Sequence, residues 1–486
     1  MPMSLSGGSS AGMPHNRTWT LVLASLGVFM TALDTLVVAN SLPALRSSLH
    51  ANLGDLEWTV NAYNLAFAVA LLTGAALGDR YGRKRVFSLG LLAFTIASAA
   101  AALSPSIGAL IAARGVQGAA AAAVMPMTLT LISEAFPAEK RGAAIGLWGG
   151  ITGLAVALGP VVGGAIVGGI SWHWIFWLNV PIGLALVPLS VSRLTESFGP
   201  RSQLDITGLL LAGAGFFGIT LGLVRADSLG WSSGEIIASI ALGAALVAAF
   251  LAWERRTATP MLSSALFRSR GFNAANGVSF FMYASLFGVL FLMMQFLQTA
   301  LGYSPLSAGL RTLPWTGAPM IVAPIAGALA DRYGSKPFML VGLALQAVGL
   351  GWIAAIAKPG MSYTWLAVAL GVAGVGISLC FPTVANAVVG SVPASEMGIA
   401  SGTNSALREI GGVFGIAILA TVFANKGDYV SAQTFVHHFK HAVWLGAAFS
   451  AVGIFAAAAL PGRTRIASNP AGGDVGVADQ PQLVAN

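Results

Sequence analysis

Charged residues are scarce in this sequence. Asp, Glu, Lys and Arg make up 9% of its 486 residues, whereas an ordinary soluble domain contains about 25%. Hydrophobic residues make up 56%, and the mean hydropathy is +0.79. This number of charged residues is too small to cover the surface of soluble domains. A polytopic membrane protein does not need a charged surface, because lipid covers its outside. The composition therefore excludes a set of soluble domains and predicts a protein embedded in a membrane.

Cysteine and histidine are also rare. The single cysteine, Cys380, excludes a disulfide framework and a cysteine-based metal site. Of the six histidines, His437, His438 and His441 cluster in a predicted outer loop whose one nearby acid is Asp428, so a metal site is not favoured. The sequence shows neither a phosphate-binding loop nor a nucleotide-binding pattern. We therefore expect no enzymatic activity, no metal and no cofactor.

Long apolar runs dominate the chain instead. Runs of about 18 residues or more are long enough to cross a bilayer as helices. The sequence predicts an all-α polytopic membrane protein with fourteen spans, at 18–40, 57–78, 86–104, 107–133, 142–168, 174–194, 206–225, 234–253, 272–299, 306–330, 337–357, 363–390, 402–424 and 441–461.

The distribution of Lys and Arg orients these spans. An even number of spans places both termini on one side of the membrane, and cytoplasmic segments carry an excess of basic residues. With a cytoplasmic N-terminus, Arg114, Arg311 and Arg408 lie inside spans. Of the 25 Lys and Arg residues, outer segments then hold only Arg46, Arg225, Lys358, Lys426 and Lys440. Both termini are therefore predicted to be cytoplasmic.

Two loops contain the same Asp-Arg-Tyr-Gly sequence, at Leu77–Lys84 and at Leu329–Lys336. Their aspartates, Asp79 and Asp331, are 252 residues apart, and both loops are predicted to be cytoplasmic. A parallel repeat of two six-span halves, separated by one extra hairpin, accounts for this offset. The predicted divisions are a cytoplasmic segment 1–17, a six-helix bundle 18–194, a linker with two extra spans 195–254, a second six-helix bundle 255–461 and a cytoplasmic tail 462–486 without a packed fold.

These loops resemble a signature of the major facilitator superfamily, specifically of its fourteen-span drug:proton antiporters. The family pattern G-x-L-A-D-R-x-G-R-K begins here at Ala75 instead of glycine, and its second copy has Ser335 for arginine. The alternative interpretation is a basic loop that only sets topology. The resemblance implies a cytoplasmic latch between the halves, formed by Asp79, Arg80, Gly82, Arg83, Asp331, Arg332 and Gly334.

Span 5 resembles the antiporter signature G-x8-G-x3-G-P-x2-G-G of the same family. The matching residues, with Ala155 in place of one glycine, are Gly146, Gly159, Pro160, Gly163 and Gly164. In the family this signature marks exporters. Ordinary close packing of small residues between membrane helices is the alternative.

Two ionisable residues lie inside the first half. Span 1 resembles the family stretch L-D-x-T-I-V-N-V-A-L-P, and only Asp34 and Pro43 match it in place. The asparagine of the stretch is shifted here to position 40. Arg114, with Gln117 and Gly118, resembles the R-x-x-Q-G element that is linked to proton coupling in the family. An embedded carboxylate costs several kcal/mol unless it meets water or a partner. Asp34 and Arg114 are predicted at a similar depth, so a functional pair, a structural ion pair or a snorkelling arginine all fit.

Span 13 contains a further charged stretch. It resembles the N-x-x-x-R-x-x-G-G-x-x-G pattern of the group through Asn404, Arg408, Glu409, Gly411, Gly412 and Gly415. Arg408 and Glu409 are adjacent and point about 100° apart on a helix, so each is expected to need its own partner. They are predicted near the inner end of the span, in either a structural or a coupling role. Arg311 is interpreted as an outer anchor.

The resemblance implies the major facilitator fold, with two six-helix bundles and an extra two-helix hairpin. It also implies a plasma-membrane exporter, bacterial on this interpretation, that is driven by a proton gradient and works by alternating access. Asp34 is the predicted proton carrier, with Arg114, Arg408 and Glu409 as further coupling residues. The predicted partners are a small amphipathic substrate, protons and lipid, with no nucleic acid, for a monomer. An exporter of a cellular metabolite and a non-transporting membrane sensor are the alternatives.

Overall fold

The computed structural model describes residues 14–199, 205–257, 260, 266–393, 397–424 and 431–461. Every regular element among these residues is a helix. Spans 1 to 6 are Pro14–Leu49, Leu53–Tyr81, Arg83–Ala102, Ile107–Ala135, Ala138–Gly169 and the pair His173–Trp177 with Asn179–Arg193. Spans 7 and 8 are Ile206–Leu229 and Gly234–Glu254. Spans 9 to 14 are Arg270–Gln295 with Phe296–Ala300, a broken helix over 305–333, Ser335–Ile356, Tyr363–Gly390, Met397–Ala424 and Ala432–Ala458.

This arrangement confirms the fourteen predicted spans. Thirteen are long and apolar enough to cross a membrane, and span 2 is the fourteenth when its two segments, which meet at 50°, are counted together. Several helices extend beyond the apolar runs, because a helix satisfies its own backbone hydrogen bonds in water as well as in lipid. Span 14 begins early in this way, where the Ser431 side chain accepts from the Thr434 amide and caps the helix. The placement of the three clustered histidines in a loop was therefore wrong, since they lie on this helix.

Two of the spans depart from a continuous α-helix. Span 10 consists of Pro305–Arg311, Leu313–Thr316 and Ala318–Tyr333, and Pro314 and Pro324 each remove a backbone donor. Span 9 ends in a π-helix, Phe296–Ala300. Both irregular segments lie at the ends of their spans that are opposite the two Asp-Arg-Tyr-Gly loops.

The packing repeats with an offset of eight spans. In the first half, span 1 packs on span 5, span 4 packs on spans 2 and 3, and span 3 packs on span 6. The second half has the same pairs eight spans later, namely 9 with 13, 10 and 11 with 12, and 11 with 14. The halves meet along two seams, between spans 5 and 10 and between spans 2 and 13. These seams are themselves related by the repeat.

The two Asp-Arg-Tyr-Gly loops also share a backbone conformation. Gly82 and Gly334 follow the ends of their helices with φ of 107° and 86°, a region that side chains disfavour. The Gly82 amide donates to the Gly78 carbonyl at 3.0 Å, and the Gly334 amide donates to the Ala330 carbonyl at 2.8 Å. The repeat is thus present in local geometry as well as in sequence.

Spans 7 and 8 form a hairpin outside the repeat. They approach closely where Gly215 and Gly218 face Gly243. Span 7 packs on spans 2 and 13 and covers their seam, with Trp58 and Phe217 rings 5.4 Å apart. Among the thirteen spans that are by themselves long and apolar enough to cross a membrane, span 8 is the least buried. The hairpin is therefore peripheral and covers one of the two seams.

Candidate proton-coupling site

Asp34 lies at the centre of a buried polar cluster inside the first half. It is 2% exposed, and Arg114, Gln117 and Asn179 surround it with exposures of 0 to 1%. Arg114 Nη1 donates to Asp34 Oδ2. Asn179 Nδ2 and Gln117 Nε2 donate to Asp34 Oδ1 at 2.7 and 3.3 Å. Three side chains from two further spans therefore hold the carboxylate of span 1.

Arg114 is held in turn by its own neighbours. Its Nε donates to the Thr59 carbonyl at 3.2 Å, and its Nη1 donates to Gln117 Oε1 at 3.0 Å. The guanidinium carbon lies 4.3 Å from the Tyr63 ring centre and 5.9 Å from that of Phe176. Nη2 is buried without a hydrogen-bond partner among the described residues. The arginine is thus desolvated and fixed, and does not reach toward the membrane surface as a snorkelling side chain would.

The cluster includes residues that the sequence analysis missed. Asn179 begins the second helix of span 6, directly after the break at Leu178. Ser98 of span 3 accepts from Gln117 Nε2 at 2.8 Å, which fixes that amide. A buried asparagine in an apolar span was the available signal for Asn179. Ser98 carried no comparable signal, because serine is common in helix packing in membranes.

Arg408 and Glu409 differ from expectation in two ways. They pair with each other, with Arg408 Nη2 3.7 Å from the Glu409 carboxylate, so the expectation of separate partners was wrong. The flexible arginine side chain reaches around the helix, and its guanidinium carbon lies 4.8 Å from the Tyr283 ring centre. Their placement near the inner end was also wrong, because span 13 begins at Met397 and the pair lies near its middle.

The second-half pair lies apart from the Asp34 cluster. Within the described part of the chain, no hydrogen bond or ion pair joins Glu409 to Asp34 or Arg114. Asn404 donates to Asn276 at 2.9 Å and to Ser279 at 2.7 Å, so it links spans 13 and 9 within the second half.

The first predicted latch loop is engaged within its own half. Arg83 pairs with Asp79 at 2.8 Å and also contacts Glu134 at the end of span 4. The Lys84 amide donates to Glu196 at 2.9 Å, and the Gly199 amide donates to the Asp79 carbonyl at 3.2 Å. The loop therefore holds the segment that follows span 6.

The second loop has an equivalent local contact. Lys336 Nζ donates to the Ala458 and Leu460 carbonyls, both at 2.7 Å, and so holds the end of span 14. Arg332 is exposed beside the Tyr333 ring, and the side chain of Asp331 lies outside the described residues. A latch between the halves stays a prediction.

The span 5 signature makes contacts in both halves. Ideal Cβ atoms on Gly159 and Gly163 would lie 2.6 Å from Leu36 Cβ and 2.8 Å from the Val37 carbonyl oxygen, in span 1. Gly164 instead faces Pro305 of span 10. Gly146 lies on the same helix, and its surroundings are outside the described residues. The glycines allow span 5 to approach its own half and the other half at once.

Known proteins place this fold in a family. A family model described as Major Facilitator Superfamily matches residues 24–268 and 276–479. The "Tetracenomycin C resistance and export protein" of Streptomyces glaucescens is 34% identical over 85% of this chain and 78% of that protein. The "Multidrug resistance protein Stp" of Mycobacterium tuberculosis is 36% identical over 85% and 77%. The solved structure of a POT family transporter with a thioalcohol-conjugated peptide has a TM-score of 0.68 at 13% identity and covers 89% of this chain and 94% of its own.

The fold and these relatives define a multi-pass membrane transporter rather than an enzyme. The chain belongs to the Major Facilitator Superfamily. The expected fold, with two six-helix bundles and an added hairpin, is confirmed.

Proposed function

We propose that the protein is a proton-coupled exporter of drugs or other small amphipathic molecules, working by alternating access. Relatives at 32 to 36% identity carry the names of resistance and efflux proteins, which supports export of such compounds. The observation that carries the coupling is the buried Asp34–Arg114 pair with its donors Gln117 and Asn179. An embedded carboxylate in a transporter belongs by default to an ion or proton pathway.

The cluster around Asp34 has different interactions when this carboxyl group is ionised and when it is protonated. As an anion, Asp34 accepts from three donors, one of which is the cation Arg114, so its charge is balanced in an apolar region. A proton on Asp34 cancels that charge and leaves Arg114 without its counter-ion. Since spans 1, 4 and 6 meet at this point, we propose that the loss of this attraction loosens their packing. Proton release and binding would then favour different arrangements of the halves.

The test uses purified protein in liposomes with an imposed pH gradient. The transported probes are ethidium and tetracenomycin C, and an internal pH dye reports proton movement. Substrate movement against its gradient, accompanied by proton movement in the opposite direction, is the expected result. Substrate movement that is unchanged when the pH gradient is collapsed would contradict proton coupling, while no movement of any drug in a panel would contradict drug export.

Export of a compound made by the cell itself is the second candidate. A relative from Streptomyces coelicolor, 33% identical, is named "Probable actinorhodin transporter", a name that denotes a single compound. A narrow cargo would appear as transport of one chemical class within the panel. Broad transport of unrelated cations and neutral molecules would favour a multidrug exporter.

We also propose cytoplasmic termini, a monomer and the domain divisions predicted from the sequence. The basic residues near the two Asp-Arg-Tyr-Gly loops support this orientation. Accessibility of tags at both ends in intact cells tests it, and labelling of either tag from outside would contradict it.

A further inference from the structure

We infer that Asn40 closes an outer gate between the two halves. It is fully buried in span 1, six residues outward from Asp34. Its Nδ2 donates to the Pro160 carbonyl of span 5 at 2.5 Å and to the Pro305 carbonyl of span 10 at 3.1 Å. Gln298 Nε2, from the end of span 9, donates to Asn40 Oδ1 at 2.8 Å. One side chain therefore joins both halves through its donor and its acceptor. We call Asn40, Pro160, Gln298 and Pro305 the outer gate.

The two helices of this seam cross at reciprocal glycines. Gly164 of span 5 lies against the backbone of Pro305, and Gly309 of span 10 lies against the carbonyl of Pro160. An ideal Cβ on Gly309 would also lie 3.0 Å from Asn40 Nδ2. Side chains at these positions would force the helices apart, so the close crossing is what brings both proline carbonyls within reach of one amide.

The π-helix at the end of span 9 belongs to the same arrangement. Gln298 is the third residue of Phe296–Ala300, and it also donates to the Asn40 carbonyl at 3.0 Å. Short π-helical turns are rare and often occur at functional sites. Here the turn presents an amide from the second half to a side chain that hydrogen-bonds both span 5 and span 10.

The halves are tightly packed on the side of this gate that faces Asp34, whereas a cleft of about 330 Å³, lined by Pro43, Arg46, Ser47, Gln295 and Thr299, opens on its other side. The space left between Thr35, Val60, Phe287 and Ile416, from spans 1, 2, 9 and 13, has a volume of about 10 Å³. That volume is about the space that one water molecule needs. The gate therefore lies at the base of this cleft, where the two halves are in contact, and these contacts must separate before cargo can leave outward.

The position of the asparagine departs from the family pattern that span 1 resembles. In the family stretch that span 1 resembles, aligned on Asp34 and Pro43, the asparagine would fall at position 39, where this chain has Ala39. A shift of one residue rotates a side chain by about 100° around a helix. At position 40 the amide points across the seam and contacts the other half.

The gate has no ionisable group among its four residues. It does not itself respond to pH, so its opening must follow from movement of a helix that it holds. Span 1 is that helix, because Asp34 lies about 9 Å from Asn40 along its axis. This link to Asp34 rests on the proposed function, whereas the gate itself does not.

The experiment measures the gate directly, without transport. Spin labels are placed at Ser47→Cys and Lys358→Cys, exposed positions on the outer sides of the two halves, in a Cys380→Ser background. Distances between the labels are then recorded without a gradient at one fixed pH. Asn40→Ala should shift the population from the short to a longer distance, with roughly a tenfold change in the closed-to-open ratio for the lost hydrogen bonds. Gln298→Ala should shift it in the same direction by less.

Ser41→Ala is the matched control. Ser41 is equally buried on the same helix, and its hydroxyl donates to the Val38 carbonyl at 2.7 Å within span 1. The inference is overturned if the distances in Asn40→Ala and Gln298→Ala match those in Ser41→Ala. If Asn40→Ala does not fold, Gln298→Ala alone decides. Because no proton or cargo moves in this measurement, its failure is distinct from a failure of the proposed coupling.

Discussion

The two halves share one packing scheme but carry different polar chemistry. In the first half, a fully buried carboxylate and guanidinium meet at the core, supported by Gln117 and Asn179. Spans 9 and 12 of the second half correspond to the spans 1 and 4 that carry this pair, but the buried polar contact there joins spans 9 and 13 and is neutral, through Asn404 with Asn276 and Ser279. The charged pair of that half, Arg408 and Glu409, is incompletely buried and packs on Tyr283.

This difference shows that the helix packing is repeated in both halves, whereas the buried ion pair is not. The same pairs of helices pack through small and apolar residues in both halves, because helices in lipid need such residues to approach one another closely. An embedded ion pair needs a specific set of donors. Under the proposed function, the proton chemistry is concentrated in the first half, and the second half supplies the surface against which the first half moves.

The strongest way to break this comparison is to remove the charge of Asp34. Asp34→Asn should abolish gradient-driven efflux of the probes while the protein still reaches the membrane, because no carboxylate remains in the cluster to exchange a proton. Efflux across an imposed pH gradient, in everted vesicles, is the measurement. Glu235→Gln, at an exposed acid paired with Arg225, is the control, and wild-type efflux in Asp34→Asn would contradict the assignment.

Removing the cation should destabilise the first half. Arg114→Leu leaves Asp34 buried and without its counter-ion, which should cost about 3–5 kcal/mol of stability. The double variant Asp34→Asn with Arg114→Leu should recover part of this loss, because no unpaired charge remains. Thermal unfolding in detergent measures both. Equal loss in the single and double variants would show that packing of the arginine, rather than charge, is responsible.

A smaller effect is expected at the two Asp-Arg-Tyr-Gly loops. Arg83→Ala should slow turnover without lowering substrate affinity, because the contacts of Arg83 with Asp79 and Glu134 lie where spans 2 and 4 end, not within the membrane-embedded interface between the halves. Lys336→Ala, which affects the equivalent contact with the end of span 14, is the matched variant in the other half. Affinity and turnover are measured separately, and a loss of affinity at constant turnover would contradict a latch.

The smallest effect is expected from removing the hairpin. Deletion of about 205–254, with a short polar linker retained, should leave a cytoplasmic C-terminus and partial activity, because spans 7 and 8 lie outside the repeat and cover the seam from one side. Removal of span 8 alone should instead invert the second half. Efflux and tag accessibility are the measurements. Loss of substrate range with proton coupling intact would show that the hairpin lines the cargo path.

The sequence by itself determined the helices and their repeat. Apolar runs of bilayer length must form helices in lipid, since no water is available to satisfy their backbones, so the number of spans followed from hydropathy. The doubled Asp-Arg-Tyr-Gly loop located the repeat because both copies need a glycine of positive φ at the same place. Asp34 and Arg114 stood out because charges are costly inside apolar spans.

Only the tertiary structure decided which side chains meet. Asn179 reaches Asp34 because span 6 breaks at Leu178, and Arg408 folds back onto Glu409 because its side chain is long and flexible. Asn40 joins the two halves because spans 5 and 10 cross at glycines and a π-helix turns Gln298 toward it. Such contacts depend on the rotation and separation of helices that are far apart in the chain, and hydropathy along one helix contains no information about either.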